Sequence, residues 1–351
     1  MGVRCLATVV VSSVILCGTC VLRADQPAAG PGQTEAKPVP RGVAAVRADA
    51  AAMEPLVTSG LARAFLRAAE RLPEVQVREI YRHKKTRAWF SADQAAALSE
   101  ADRAELEKRD VDEQFYYTTK YGSPIAYARA MDVLGSLGFR AEGENPLAGK
   151  RVLDFGYGGI GHLRLLGLLG AEVVGVDVDP MLPVLYAAPT DQGAIGAAGG
   201  SVKLVHGRWP AEAGAAEAVG GGFDVVMSKN TLKNGYIHPA REVDKRMLVD
   251  LGVPDEEYVK AVHAALKPGG WLVIYNLCPA EAPADKPYIP WADGRCPFPR
   301  EMLEKAGFEV VAFDVVDDGP AREMGRTLGW ERQGMKLEQD LFCWYTVARK
   351  K

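Results

Sequence analysis

Short apolar runs rich in β-branched residues alternate with helix-like stretches from Arg151 to the end of the chain. Several of these runs are almost continuously apolar, which is typical of strands covered on both faces in a parallel sheet. The alternation predicts an open α/β sheet. The predicted strands are Arg151 to Phe155, Glu172 to Asp177, Val202 to His206, Phe223 to Met227, Trp271 to Tyr275, Glu309 to Phe313 and Leu341 to Ala348.

The chain before this sheet has a different pattern. Residues 43–146 predict a helical N-terminal region, in which residues 61–72 are amphipathic and SADQ at 91–94 resembles a helix capping box. Residues 25–42 are rich in Pro, Gly and Ala and predict a flexible linker. Residues 147–351 form the predicted main domain, in which the Ala/Gly-rich stretches 187–200 and 211–222 are interpreted as surface helix and loop.

The first 24 residues have the order of a secretory signal. Arg4 is followed by an apolar stretch over residues 5–22 and then by Ala24, a small residue after which cleavage can occur. The stretch also contains Ser, Thr and Gly and is marginal as a permanent membrane span. We expect an exported protein with a cleaved signal, or a membrane-tethered one if the segment is retained. A cytoplasmic protein is the alternative if the leader is not used.

Charge and composition limit the expected partners and sites. The chain of 351 residues has a net charge of -3 and only short basic runs, so nucleic acid is not indicated as a partner. Cys278 and Cys296 lie in one Pro-rich loop and are expected either to pair as a disulfide or to stay two thiols. Cys343 is interpreted as a core residue. The scattered histidines lack metal-ligand spacing, so no metal site is predicted.

A glycine-rich loop follows the first predicted strand of the sheet. Gly156, Gly158 and Gly161 fit the spacing G-x-G-x-x-G, and a helix-like run begins directly afterwards. Glycine lets the backbone approach a ligand closely, and the helix offers its free N–H groups. Asp177 ends the next strand, where a carboxylate can accept both hydroxyls of a ribose. The pattern predicts a cofactor that contains adenosine.

Asp154 distinguishes between the cofactors that such a loop binds. A dinucleotide places a pyrophosphate here, and an ionised carboxylate two residues before the first glycine would repel it. S-adenosylmethionine has no phosphate, and its sulfonium and ammonium groups are positively charged. We therefore predict S-adenosylmethionine as the cofactor.

Successive segments of the chain resemble the signature segments of class I, Rossmann-like methyltransferases that use S-adenosylmethionine. The resemblance covers roughly residues 115–351 and implies a seven-stranded, mostly parallel sheet with its last strand antiparallel. The segments are VLDFGYGGIG at 152–161, VVGVDVDP at 173–180, FDVVMSKNTL at 223–232, LKPGGWLVIYN at 266–276, GFEVVAFD at 307–314 and LFCWYTVARK at 341–350.

The resemblance also implies roles for single residues. It places Asp154, Gly156, Gly158, Gly159 and Gly161 around the methionine part of the cofactor, Asp177 on the ribose, residues 206–209 with Arg208 and Trp209 beside adenine, and residues 228–230 with Ser228 beside the substrate. The chain departs from the family at two points. Ile160 stands where the third glycine is expected, and the usual acid after the third strand is absent.

Methyl transfer is an in-line displacement at carbon, so the protein must hold donor and acceptor at attack distance in a dry pocket. Lys229 and His238 follow the fourth strand on the ligand-binding side of the sheet and are the candidate catalytic residues, with a surface lysine and a loop histidine as alternatives. Tyr121 lies where family members fold a lid and is expected to contact the cofactor or to belong to the core. Tyr288 and Trp291 belong to a predicted pocket wall.

The acceptor is expected to be a small molecule. The Asn-Pro-Pro-aromatic motif of methylation on nucleobase amino groups is absent after the fourth strand. A cofactor-binding pseudoenzyme or an exported binding protein is an alternative, because the donor is made in the cytosol and the leader predicts export. An NAD-dependent oxidoreductase shares the glycine spacing but conflicts with Asp154. The sequence leaves the oligomeric state open.

Overall fold

The computed structural model describes residues 41–141 and 143–351. The predicted signal or anchor, residues 1–24, lies outside the described residues, as does the predicted linker except for its last two residues. Gly42, the last linker residue, already begins the first helix. Among the described residues, no helix has both the length and the apolar content that crossing a membrane requires.

Residues 41–141 contain both helices and strands. Helix α2 begins at a cap in which Ser59 Oγ accepts the backbone N–H of Ala62. The predicted capping box is confirmed, because Ser91 and Gln94 each accept the backbone N–H of the other at the start of α3. The elements are α1 (Gly42–Met53), α2 (Gly60–Arg67), β1 (Arg78–His83), β2 (Trp89–Ser91), α3 (Ala92–Ala96), α4 (Glu100–Ala104), β3 (Leu106–Val111), α5 (Glu113–Thr118) and α6 (Ala128–Ser136).

The prediction of a helical N-terminal region is therefore incomplete. Strands β1, β2 and β3 form an antiparallel sheet in the order β2-β1-β3. Four successive residues of β3, residues 107–110, are charged and exposed, and only the ends of the strand are apolar. A strand that is solvated on both faces lacks the alternation that would identify it in the sequence.

Residues 143–351 form the main sheet and its helices. The strands are β4 (Arg151–Phe155), β5 (Glu172–Asp177), β6 (Gly193–Ile195), β7 (Gly200–His206), β8 (Phe223–Lys229), β9 (Leu266–Cys278), β10 (Phe308–Val316) and β11 (Phe342–Lys350). The helices are α7 (Gly161–Leu168), α8 (Leu182–Leu185), α9 (Ala213–Val219), α10 (Asn234–Ile237), α11 (Asp255–Ala265), α12 (Arg300–Lys305), α13 (Asp318–Thr327) and α14 (Leu337–Asp340).

The strand order of the main sheet is β10-β11-β9-β8-β4-β5-β7-β6. Strands β7, β5, β4, β8 and β9 are parallel neighbours, and β11 lies antiparallel between β9 and β10. The seven predicted strands thus form the Rossmann-like sheet that the resemblance implies, with the last strand antiparallel. One addition corrects the prediction: β6, in a stretch interpreted as surface helix and loop, pairs antiparallel with β7 at the sheet edge.

Apolar side chains pack on both faces of this sheet. One face packs against α9, α11 and α12. The other shares a single core with α7 and with residues of α1, α2, α5 and α6, so the N-terminal region packs directly onto the sheet. Cys343 lies in this second core, as predicted.

A buried ion pair also joins the two regions. Arg129 on α6 donates to both carboxylate oxygens of Asp317 at 2.8 Å and to Asp132 at 2.6 Å. Tyr275 on β9 donates its hydroxyl to Asp317 as well, at 2.9 Å. Asp132 and Asp317 are buried, so both carboxylates depend on hydrogen-bond donors, which for Asp132 also include the backbone N–H groups of Thr58 and Ser59.

We expect Arg129→Met to lower the free energy of unfolding by about 3 kcal/mol, because it leaves two buried carboxylates without their cation. Urea denaturation would measure the change. The matched control is Arg246→Met, which removes an ion pair to Asp244 on the surface. An exposed pair contributes little, so the control is expected to leave stability nearly unchanged. Equal effects of the two substitutions would contradict the prediction.

Candidate functional site

The carboxyl ends of three strands meet where the strand order changes direction. Gly156 follows β4 directly, Asp177 is the last residue of β5, and Lys229 is the last residue of β8. Strand β4 lies between β5 and β8, so these three residues come to the same edge of the sheet. This edge is where open α/β sheets bind ligands.

The glycine loop needs glycine at two of its positions. Gly156 has φ +75° and Gly158 has φ +57°, values that residues with a side chain rarely adopt. A Cβ on Gly156 would lie 2.6 Å from Thr231 Cγ2, and one on Gly158 would lie 2.6 Å from the ring of Tyr121. The loop is therefore shaped by close neighbours as well as by backbone conformation.

The other loop residues pack closely against neighbouring segments of the protein. Gly159 has no positive φ, and a Cβ there would lie 3.4 Å from Thr119 Oγ1. At Gly161 a Cβ would lie 2.8 Å from Pro124 and from the carbonyl oxygen of Tyr117. Ile160, at the point where the chain departs from the family pattern, is fully buried in the core.

Asp154 is fully buried at the end of β4. Its Oδ2 lies 2.5 Å from His162 Nε2 and accepts the hydroxyl of Tyr127 at 3.3 Å. Its Oδ1 has no hydrogen-bond partner within the described part of the chain. A buried acceptor without a donor is unfavourable, so the Oδ1 atom is suited to a positively charged ligand group. The residues thus fit S-adenosylmethionine at this position.

Asp177 is tied to the glycine loop. Its Oδ2 accepts the backbone N–H of Gly158 at 2.9 Å, and its Oδ1 accepts that of Asp179 at 2.8 Å. Burial raises the pKa of Asp177 above its usual range. Each carboxylate oxygen can accept more than one hydrogen bond, so Asp177 keeps acceptor capacity toward a ligand.

The segment over residues 117–124 covers the loop. The ring of Tyr121 lies against Gly158, and its hydroxyl donates to Asp179 Oδ2 at 3.1 Å. Thr119 Oγ1 donates to the carbonyl oxygen of Gly158 at 2.9 Å. Tyr121 is 45% exposed, which excludes the alternative that it belongs to the core.

The end of β8 is buried and conformationally unusual. Lys229 is buried, with its ammonium group 5.0 Å from the ring centre of Tyr127, so the surface-lysine alternative is wrong. Ser228 is buried, and its Oγ accepts the N–H of Leu232 at 3.3 Å. Asn230 has φ +65°, an uncommon value for a residue other than glycine. Such residues concentrate at functional sites.

His238 and Arg208 each contact an acidic residue near the protein surface. Nε2 of His238 is 2.8 Å from Asp255 at the start of α11, and its side chain is 45% exposed. Arg208 pairs with Asp250 at 3.2 Å. The structure therefore supports the loop-histidine alternative for His238, and it places Arg208 in a surface ion pair rather than beside a cofactor.

Trp209 is also placed differently from the expectation. It is buried in the core, where its ring lies 5.8 Å from that of Tyr258 and 6.3 Å from that of Phe155. A large aromatic ring gains more from core packing than from an exposed position beside a ligand. Trp209 thus presents no free face to a cofactor in this structure.

The predicted pocket wall contains buried polar contacts. Lys233 donates to the carbonyl oxygens of Leu277 and Trp291, at 2.6 and 3.2 Å, and burial lowers its pKa to about 8.

Cys278 and Cys296 are free thiols, so the disulfide alternative is not realised. Burial raises the pKa of Cys278 to about 11. Residues 41–141 and 143–351 contain no group of three His, Cys, Asp or Glu that could hold a metal ion.

Two partners of Asp154 were missed by the sequence reasoning. His162 is the second residue of α7, whose residues are all buried, and Tyr127 precedes α6. A histidine in a mostly apolar helix next to the glycine loop was the available signal for His162. Tyr127 is distant from the glycine loop in sequence, and tertiary folding brings it to Asp154.

No protein-family model and no curated protein matches the chain. Solved structures similar to it include an S-adenosylmethionine dependent methyltransferase from Mesorhizobium loti, at 18% identity over 64% of this chain and 98% of that one, with TM-score 0.37. Phosphoethanolamine N-methyltransferase 2 from Haemonchus contortus, in complex with S-adenosyl-L-methionine, is 16% identical over 80% and 70%, with TM-score 0.32. The [4+2]-cyclase SpnF is 17% identical over 58% and 75%, with TM-score 0.35.

Proposed function

We propose that the protein is a methyltransferase that uses S-adenosylmethionine and acts on a small-molecule acceptor. The observation that supports this most is the buried Oδ1 of Asp154, which has no hydrogen-bond partner among the described residues and lies beside a glycine loop at the ligand-binding edge of the sheet. A cationic cofactor would satisfy this atom, whereas the phosphates of a dinucleotide would be repelled by it.

Each part of the site has a task in this proposal. Asp154 faces the positively charged methionine part, and Asp177 accepts the ribose hydroxyls. The backbone of Gly156 and Gly158 allows close approach, and Tyr121 closes over the loop to exclude water. When bound, the cofactor supplies an electrophilic methyl group, so the chain has to position the two reactants rather than activate the donor.

Lys229 is the proposed acceptor-side residue. It ends β8 next to β4, and its ammonium group lies beside Tyr127, which also contacts Asp154. A buried cation at this position would favour an acceptor that carries negative charge, since oppositely charged groups attract strongly at low dielectric. His238 is not included in the proposal because it is engaged by Asp255.

Isothermal titration calorimetry with S-adenosylhomocysteine and with NADH tests the cofactor assignment. We expect the former to bind and the latter not to bind. Binding of NADH alone would contradict the proposal and favour the oxidoreductase alternative. A second assay, formation of S-adenosylhomocysteine from S-adenosylmethionine across candidate acceptors, separates an enzyme from a cofactor-binding pseudoenzyme. Binding without turnover on any acceptor would favour the pseudoenzyme.

A further inference from the structure

A buried aromatic and polar cluster lies directly behind the glycine loop. It consists of Asp154, His162, Tyr127 and Lys229, all of which are buried. The rings of His162 and Tyr127 are stacked, with centres 3.6 Å apart and planes at 5°. The cluster joins the end of β4, the first turn of α7, the segment before α6 and the end of β8.

Asp154 meets both His162 and Tyr127 through the same carboxylate oxygen. His162 Nε2 and the Tyr127 hydroxyl both meet Asp154 Oδ2, at 2.5 and 3.3 Å. The second oxygen, Oδ1, keeps no donor in the described chain. Two donors on one oxygen fix the rotation of the carboxylate, and they leave the other oxygen for a ligand.

We propose that His162 is a positioning residue that holds Asp154 as an oriented carboxylate with Oδ1 directed at the ammonium-bearing part of the cofactor. This inference rests on the proposed function. His162 need not touch the cofactor, because it acts through Asp154. The stacked Tyr127 ring in turn fixes the plane of the imidazole.

The charge state of the imidazole matters for this role. Burial lowers the pKa of His162, and the nearby ammonium group of Lys229 acts in the same direction. A neutral imidazole donates Nε2–H to Asp154 and leaves the pair with a net negative charge. An imidazolium would cancel the charge of Asp154 and remove its attraction for a cation.

The test compares two ligands that differ in the group His162 is inferred to control. S-adenosylhomocysteine carries an ammonium group, whereas 5′-methylthioadenosine shares its adenosine and thioether but has no amino-acid part. We expect His162→Phe to weaken S-adenosylhomocysteine binding about 30-fold, since it removes a hydrogen bond to a charged group but keeps a ring for Tyr127. Binding of 5′-methylthioadenosine is expected to change less than about threefold, because no charge is involved.

His162→Gln is the conservative control. Its amide nitrogen can replace Nε2 as the donor, so we expect it to recover most of the affinity for S-adenosylhomocysteine. Thermal unfolding of each variant checks that the fold is kept. Equal losses of affinity for both ligands, or no loss of affinity in His162→Phe, would overturn this inference and leave the proposed function unaffected. A parent protein that binds neither ligand would overturn the proposed function, and the inference with it.

Discussion

Asp177→Ala is expected to weaken the binding of S-adenosylhomocysteine by about 100-fold or more. In the proposed site the carboxylate accepts two ribose hydroxyls, and a hydrogen bond to a charged group contributes roughly 1.5–3 kcal/mol. Since 1.4 kcal/mol corresponds to about tenfold in affinity, the loss of both bonds gives this estimate. Calorimetric titration of the parent and the variant measures the ratio directly.

Asp177 also supports the loop, so the loss of affinity needs a control. The carboxylate accepts the backbone N–H groups of Gly158 and Asp179, and its removal also loosens them. Competition by adenosine and by 2′,3′-dideoxyadenosine separates the two effects. The parent is expected to prefer adenosine, and Asp177→Ala is expected to lose that preference. A variant that still discriminates between these two nucleosides would show that the ribose assignment is wrong.

Asp224→Ala provides a matched variant at the opposite edge of the sheet. Asp224 lies near the amino end of β8, where it accepts the N–H of Arg151 at 2.9 Å and pairs with Lys267 at 2.8 Å. Like Asp177, it combines a backbone contact with partial burial. Its removal is expected to lower stability and to leave the affinity of folded protein for S-adenosylhomocysteine unchanged.

The strands at the centre of the sheet were predictable because their environment is uniform. The bounds of β4 and β5 match the prediction to the residue. Both strands are covered on two faces, so most of their interior positions are apolar, with Asp154 of β4 as the buried exception. The predicted part of β8 is extended by Ser228 and Lys229, polar residues whose burial depends on contacts with distant segments.

The peripheral strands could not be predicted in the same way. Strand β3 consists mainly of exposed charged residues, and β6 is a short segment in an Ala/Gly-rich stretch. Their pairing is set by backbone hydrogen bonds to neighbouring strands rather than by a buried face. Backbone pairing leaves little trace in the order of side chains.

The candidate site also has a part that the sequence pattern indicates and a part that only tertiary packing determines. Asp154, the glycine loop and Asp177 are brought together by strand order, which the hydrophobic pattern already indicates. His162 and Tyr127 contact Asp154 across three different elements, and only tertiary packing joins them. Trp209 shows the converse, because its position after a strand suggested a ligand contact while core packing determines where the ring lies.

Gly156→Ala is expected to lower the free energy of unfolding by roughly 3 kcal/mol, as the sum of two separate effects. The first is backbone strain, because φ at this position is +75°. The second is overlap, since the new methyl group would lie 2.6 Å from Thr231 Cγ2. Urea denaturation measures the total. Gly214→Ala in α9 is the control: with open space around it and ordinary helical backbone, it is expected to be neutral or slightly stabilising.

The double variant Gly156→Ala with Thr231→Gly separates strain from overlap. Removing the Thr231 side chain relieves the contact but leaves φ unchanged, so part of the loss is expected to be recovered relative to Thr231→Gly alone. Because the two residues are in contact, their effects should be non-additive by about 1 kcal/mol or more. Purely additive effects would mean that Thr231 does not limit the loop. Recovery would instead show that glycine is required at position 156 by its contact with Thr231 as well as by its backbone conformation. The shape of the cofactor loop would then depend on the segment that follows β8, the strand that ends at Lys229.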